Sequence, residues 1–222
     1  MKRTLIIIVL TVFFFSFGKT KASDALGFGI FAGVSTPNDY ITNLYNSNTV
    51  PKIVDEPLNL IYGSANYGWH IGVDLRIALD KEAHTFLHGS FAWHQFEPVI
   101  NDVVLDQNKK SLFSATTSVL PVALGVDYYL FRSVIGLYAR GDVQFNTIST
   151  RVNTVYDAVN TLTKMPDASN SRLGAALGGG VEVNLLLIKA ALEVKYNWIN
   201  LVGKTAEEPA KNYLSTSLIV YL

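Results

Sequence analysis

The sequence predicts an all-β fold, an eight-stranded antiparallel up-and-down barrel that crosses a membrane, and three observations carry that reading. Apolar and small or polar residues alternate with period two along eight segments. The charged residues inside those segments share a face with glycine and alanine, and the connections between segments alternate long and short. A soluble sandwich would turn its charged face to water and its apolar face to a core. Here small residues mark the crowded side, so the smooth apolar side points outward, as it does in strands of about 10 residues that face lipid.

The stretch from Val119 to Phe145 shows the pattern most plainly. Leu120, Val122, Leu124, Val126, Tyr128 and Leu130 share one parity, against Pro121, Ala123, Gly125, Asp127 and Tyr129. After a tight turn at Phe131-Arg132-Ser133 the alternation resumes with Ile135, Leu137, Ala139, Gly141, Val143 and Phe145 against Gly136, Tyr138, Arg140, Asp142, Gln144 and Asn146. Pro121 lacks an N–H in a strand paired on both sides, so a bulge is expected there.

Taken in order, residues 25–35 give a first strand with Leu26, Phe28, Ile30, Ala32 and Val34 on one side and glycines and Phe31 on the other. The same letters fit a dinucleotide fingerprint, Gly27-x-Gly29-x-x-Ala32. No strand precedes it, however, and Pro37 follows where the phosphate-binding helix would run. Residues 36–66 read as a first long loop. Residues 67–79 and 84–96 form the second and third strands around a short turn at 80–83, and 97–112 read as a second loop. Residues 149–171, rich in Asn, Thr, Asp and Ser, read as a third long loop with a helical turn around Tyr156 to Leu162. Residues 172–185 and 188–198 pair across a minimal turn, 203–211 form a fourth loop, and the closing strand puts Leu214, Thr216, Leu218, Val220 and Leu222 outward.

Composition narrows the class. The chain has 222 residues, no cysteine, 49% hydrophobic residues and a formal charge of zero. Lys2 and Arg3 followed by an apolar run from Leu5 to Phe15 and then Thr20-Lys21-Ala22 read as a cleaved secretory signal over residues 1–22. Residues 23–222 are then a single barrel domain of the outer membrane. Removing the signal takes away Lys2, Arg3, Lys19 and Lys21 and no acid, so 18 bases against 18 acids become a mature charge of −4. A basic nucleic-acid surface is not expected. No later segment is long and apolar enough for a spanning helix, and backbone polar groups in hydrocarbon must be satisfied within the segment or by closure, which leaves a closed barrel.

The candidate site is the lumen. Asp74, Arg76, Asp127, Arg140, Asp142, Glu182, Glu193 and Lys195 all fall on the inward parity, and none of the strand-core charges falls outward. A basic side chain at the bilayer midplane costs about 2–4 kcal/mol, so lipid exposure would enforce this segregation. His70, His88 and His94 also face inward, and the expected arrangement is a lumenal network of ion pairs and hydrogen bonds. No acid or cysteine completes a metal-ligand spacing with those histidines, and neither a catalytic set nor a cofactor is expected. With odd strands running outward, Trp69, Trp93 and Trp198 reach one level together with Tyr67, Phe145 and Tyr196, an aromatic girdle at the outer interface.

On Leu120-Pro121-Val122, Gly125-Val126-Asp127-Tyr128-Tyr129, the glycine strand from Gly174 to Glu182 and the closing Tyr213 to Leu222, the chain resembles the small outer-membrane β-barrel family common in Bacteroidetes. That family includes PorT-type proteins of a secretion apparatus. The resemblance implies an OmpA-like barrel inserted by the barrel-assembly machinery, but it does not imply one activity. The family's usual last residue is an outward aromatic, where this chain has Leu222 beside Tyr221. The leading functional expectation is a non-enzymatic barrel in contact with outer-membrane lipid and lipopolysaccharide that either stabilises the membrane or presents loops 36–66 and 149–171 to a protein partner, a secretion apparatus being one such setting. Two alternatives stand beside it. His88-Gly89-Ser90 has the His-x-Ser spacing of barrel enzymes that deacylate lipid A, although both side chains point into the lumen. A narrow transport barrel is the other, against which a lumen filled with side chains argues.

Overall fold

A computed structural model of the chain describes residues 25–38, 41, 67–97, 99–106, 109–156, 168–185, 188–204 and 208–222. The signal segment, most of the first loop and the expected helical turn beyond Tyr156 lie outside them. The strands are β1 (Leu26–Pro37), β2 (Gly68–Ala78), β3 (Thr85–Phe96), β4 (Val99–Asp106), β5 (Lys109–Arg132), β6 (Ile135–Tyr156), β7 (Ala168–Leu185), β8 (Ile188–Val202) and β9 (Asn212–Tyr221). Among the described residues there is no helix. All pairings are antiparallel, and β1 closes the ring by pairing with both β2 and β9, as in Ile30↔Val73 and Ile30↔Val220. Eight strands form the wall, because β4 pairs with β5 alone among the described residues, above the place where β3 leaves it.

The burial of the strands follows the alternation that defined them. On β2, Trp69, Ile71, Val73, Leu75 and Ile77 are exposed while Gly68, His70, Gly72, Asp74 and Arg76 are buried. Leu124, Val143 and Leu192 are 61%, 66% and 57% exposed, whereas Arg140 is 3% exposed. A soluble monomer rarely shows a contiguous apolar patch beyond a few hundred Å². Here apolar side chains encircle the wall, which hydrocarbon can cover and water cannot.

Three expectations are corrected. Residues 97–112 are not a plain loop: β4 pairs with the start of β5 from Val99↔Ala115 to Asp106↔Lys109, so the β5 side of the wall rises into a hairpin. The third connection is shorter than expected, since β6 runs on to Tyr156 and β7 begins at Ala168, with Thr150↔Ala168 at the top of their ladder. Thr, Val and Ser suit a pleated, half-exposed surface and extend strands past the membrane without an apolar stripe to announce them. At Pro121 there is no bulge. The β5–β6 register passes through Pro121↔Asn146 unshifted, and on the β3 side Phe91↔Val122 and His94↔Val119 keep one register with a gap between them. Pairing on both sides holds the register across the missing N–H. The irregularities of β5 against β6 fall instead at Leu112/Phe113 and Tyr129/Phe131.

Inside, the layers follow from the order of inward residues along each strand. Phe86, Tyr129, Tyr138 and Tyr221 pack near the short-turn end. Phe96, Val119, Ile148, Ile199 and Tyr213 close the long-loop end together with Ile41, which belongs to the first connection. The charged residues lie chiefly between these two apolar layers.

Candidate functional site

Arg140 is the centre of the charged layer. Its position on β6 puts it opposite Asp127 of β5, and the guanidinium grips that carboxylate with two parallel bonds, Nε to Oδ1 at 2.6 Å and Nη2 to Oδ2 at 2.8 Å. The same group reaches Asp74 Oδ2 at 3.3 Å and Glu193 Oε2 at 3.1 Å. A planar fork of five donors can serve three carboxylates at once, which an ammonium cannot do with the same geometry.

His88 joins the other acids. Its Nδ1 lies 3.2 Å from Asp74 Oδ1 and its Nε2 lies 2.7 Å from Asp142 Oδ1. Two carboxylate partners suit a ring that donates from both nitrogens. Lys195 completes the layer with Nζ 3.1 Å from Asp142 Oδ2 and 3.9 Å from Glu193 Oε1. Gly125 makes the room: a Cβ there would fall 2.7 Å from His88 Nε2 and against Asp142 Oδ1.

Nearer the short turns, Arg76 pairs with Glu182 at 2.7 Å and donates to the Tyr129 hydroxyl at 2.6 Å, while its guanidinium carbon sits 3.6 Å from the centre of the Tyr221 ring. Three tyrosines link the acids. Tyr129 donates to Glu182 at 2.8 Å, Tyr138 to Glu193 at 3.0 Å and Tyr221 to Asp74 at 2.8 Å. These tyrosines were missing from the residues singled out by charge. Their inward parity and a hydroxyl at the tip of a large ring were the signal available for finding them.

The three inward histidines divide. His70 and His94 stand above the charged layer, 4.6 Å apart between ring centres, with Ser35 Oγ bridging their Nδ1 atoms at 3.0 and 2.9 Å. His70 Nε2 also meets Ser217 Oγ at 2.8 Å. Among the described residues no group of three or more His, Cys, Asp or Glu side chains is arranged to hold a metal. Between this pair and the ions a cavity of about 10 Å³ remains, room for on the order of one water molecule. Gln144 and Tyr213 line it, and Gln144 Oε1 and the Tyr213 hydroxyl have no hydrogen-bond partner among the described residues.

The outward aromatics cluster in pairs. Trp69 and Trp93 meet edge-to-face at 5.1 Å across β2 and β3, and Tyr196 and Trp198 do so at 4.8 Å on β8. Tyr67 lies just ahead of β2 and is 70% exposed.

With a closed wall, an apolar outside and an ionised inside established, the comparison with known families is specific. The family model described as the outer membrane protein beta-barrel domain matches residues 7–217. This chain belongs to that family. Its members are barrels of the outer membrane, and the eight-stranded wall described above is their fold. Among solved structures, a major outer membrane protein from Thermus thermophilus is similar at 12% identity and a TM-score of 0.50, covering 89% of this chain and all 100% of the other. Neisserial surface protein A matches at 12% identity, 89% and 96% coverage and a TM-score of 0.49. The attachment invasion locus protein Ail of Yersinia pestis follows at 10%, 89%, 97% and 0.45. Among curated proteins none matches this chain.

Proposed function

We propose that the protein is a non-enzymatic outer-membrane barrel whose rigid wall presents its external loops to a protein partner. The observation that carries this reading is the filled lumen. Four carboxylates, one guanidinium, one ammonium and one imidazole are bonded to one another between two apolar layers, and the Arg76–Glu182 pair sits among the aromatic rings of the lower one, which supports a barrel that is a scaffold and not a conduit. The His88-x-Ser90 pair also fits this view, since both ring nitrogens of His88 are engaged by carboxylates inside the barrel, away from the acyl chains a lipid-modifying enzyme must reach. Export by cleavage of residues 1–22 and insertion by the barrel-assembly machinery belong to the same proposal.

The test is capture from solubilised outer membranes by the full chain and by variants shortened in 38–66 or in 157–167, the part of the third connection between β6 and β7. The expected result is a partner retained by the parent and lost by one of the shortened forms, with the folded electrophoretic mobility of the barrel intact. Steady turnover of a lipid or peptide by the protein in liposomes would overturn the reading.

A further inference from the structure

Three hydrogen-bonded groups of the lumen end on one cavity. In the first, Ser35 bridges His70 and His94, and His70 Nε2 meets Ser217 Oγ. The second is a chain of polar side chains in which Gln144 donates to Asn197 at 3.0 Å and Asn197 donates to Ser215 at 3.1 Å. The third is the ion layer, whose Lys195 lines the cavity. Among the described residues no side-chain hydrogen bond joins one group to another. Each group nevertheless brings an unused bonding position to the cavity. Gln144 Oε1 has no partner among the described residues, nor has the hydroxyl of Tyr213, and both side chains are 1% exposed. Lys195 carries three N–H donors and meets two carboxylates, Asp142 at 3.1 Å and Glu193 at 3.9 Å. The Ser217 hydroxyl can make more than the one bond it has to His70. Ala92, Pro121 and Ala123 also line the space, and their side chains offer neither donor nor acceptor.

We propose that this cavity is a binding site for one resident water molecule, which joins the three groups into a single network. The assignment uses each bonding position of the water once. It donates to Gln144 Oε1 and Ser217 Oγ, and it accepts from Tyr213 Oη and Lys195 Nζ. Size and lining select this ligand. A volume of about 10 Å³ holds one water and nothing larger. A metal cation there would face the Lys195 ammonium, and an anion would face the carboxylates of Asp142 and Glu193 beside it. A neutral molecule that both donates and accepts meets no like charge. Burial supplies the driving force, because a polar group left without a partner bears the full penalty of leaving bulk water, and one bridging water removes that penalty at several groups together. The inference needs only the filled lumen and is independent of which partner the loops meet.

Occupancy and bridging are tested separately on the full folded chain. In a crystal structure at a resolution that shows ordered water, density is expected within about 2.6–3.2 Å of both Gln144 Oε1 and Tyr213 Oη. An empty cavity would overturn the proposal. Oxygen-17 relaxation dispersion counts long-lived internal waters, and it is expected to find one fewer in Ala92→Val, whose added methyl groups fill the space, than in the parent. Equal counts would overturn the proposal as well. Bridging is read from a double-mutant cycle of Gln144→Met and Ser217→Ala, two residues bonded to Asn197 and His70 and not to each other. Their effects on the unfolding equilibrium constant, taken from urea transitions in lipid, are expected to depart from additivity by at least about twofold in the parent background and to add in Ala92→Val. Additivity in the parent would refute the bridge. If Ala92→Val loses the folded electrophoretic mobility of the barrel, the parent density and the parent cycle decide.

Discussion

Arg140 shows how strongly one residue can couple the wall. It lies between carboxylates from β2, β5 and β8, so its removal would leave Asp74, Asp127 and Glu193 facing one another without the cation that joins them. Breaking a buried ionic group by deleting one partner costs roughly 3–5 kcal/mol. Arg140→Met is therefore expected to lower the unfolding free energy of the barrel in lipid by that order, read from its urea transition, and an unchanged midpoint would contradict this coupling. Gly125 is a second such position. A methyl group there meets the backbone carbonyl of Gly141 first and then Asp142 and His88, and overpacking of this kind costs about 1–3 kcal/mol. Gly125→Ala is expected to destabilise the barrel, while Ala139→Gly on the outward side of β6 moves no lumenal group. That charges and glycines share the inward face was legible in the sequence, because parity is a local property. The bonding of particular pairs was not, since Arg140 meets Glu193 only through the register of β6, β7 and β8, and Tyr138 and Tyr221 reach Glu193 and Asp74 across Gly180 and Gly29, each of which pairs with both partners.

The elements are held by opposite rules on their two faces. A guanidinium at Val143, 66% exposed on the outward side of β6, would sit in hydrocarbon and cost about 2–4 kcal/mol. Val143→Arg should accordingly fold less stably than Val143→Leu in liposomes, and equal stability would contradict lipid contact at that depth. At the loop end, Lys211 precedes β9, is buried, and donates to the Ile41 carbonyl at 3.4 Å. Burial lowers its ammonium from 10.5 to about 8. A base whose pKa falls on folding weakens the fold wherever the unfolded chain holds the proton. That cost is full below pH 8 and fades as pH rises toward 10.5. Lys211→Met is thus expected to be more stable than the parent at neutral pH, with the advantage shrinking through that window. A pH-independent difference in urea midpoint would contradict the assignment. The strands that cross lipid were readable because one face must be apolar over its whole length. β4 and the upper ends of β6 and β7 were not, because outside the membrane neither face is constrained and Val-Ile-Asn-Asp-Val-Val shows no period at all.

For the whole molecule, the filled lumen and the continuous apolar wall make two separate claims. The ion layer and the apolar layers at either end predict that the purified barrel adds no ohmic steps to a planar bilayer at low protein concentration; regular steps would mean that the layers part in lipid. The more basic claim is which face meets hydrocarbon. The chain contains no cysteine, so a nitroxide can be attached at one chosen position at a time, at Leu124, Val143 or Leu192 on the outside, in the protein reconstituted in liposomes. Power-saturation spectroscopy then compares collisions with oxygen, which concentrates in acyl chains, and with a water-soluble nickel complex. The account predicts that oxygen dominates at all three positions, and dominance of the nickel complex at them would contradict it.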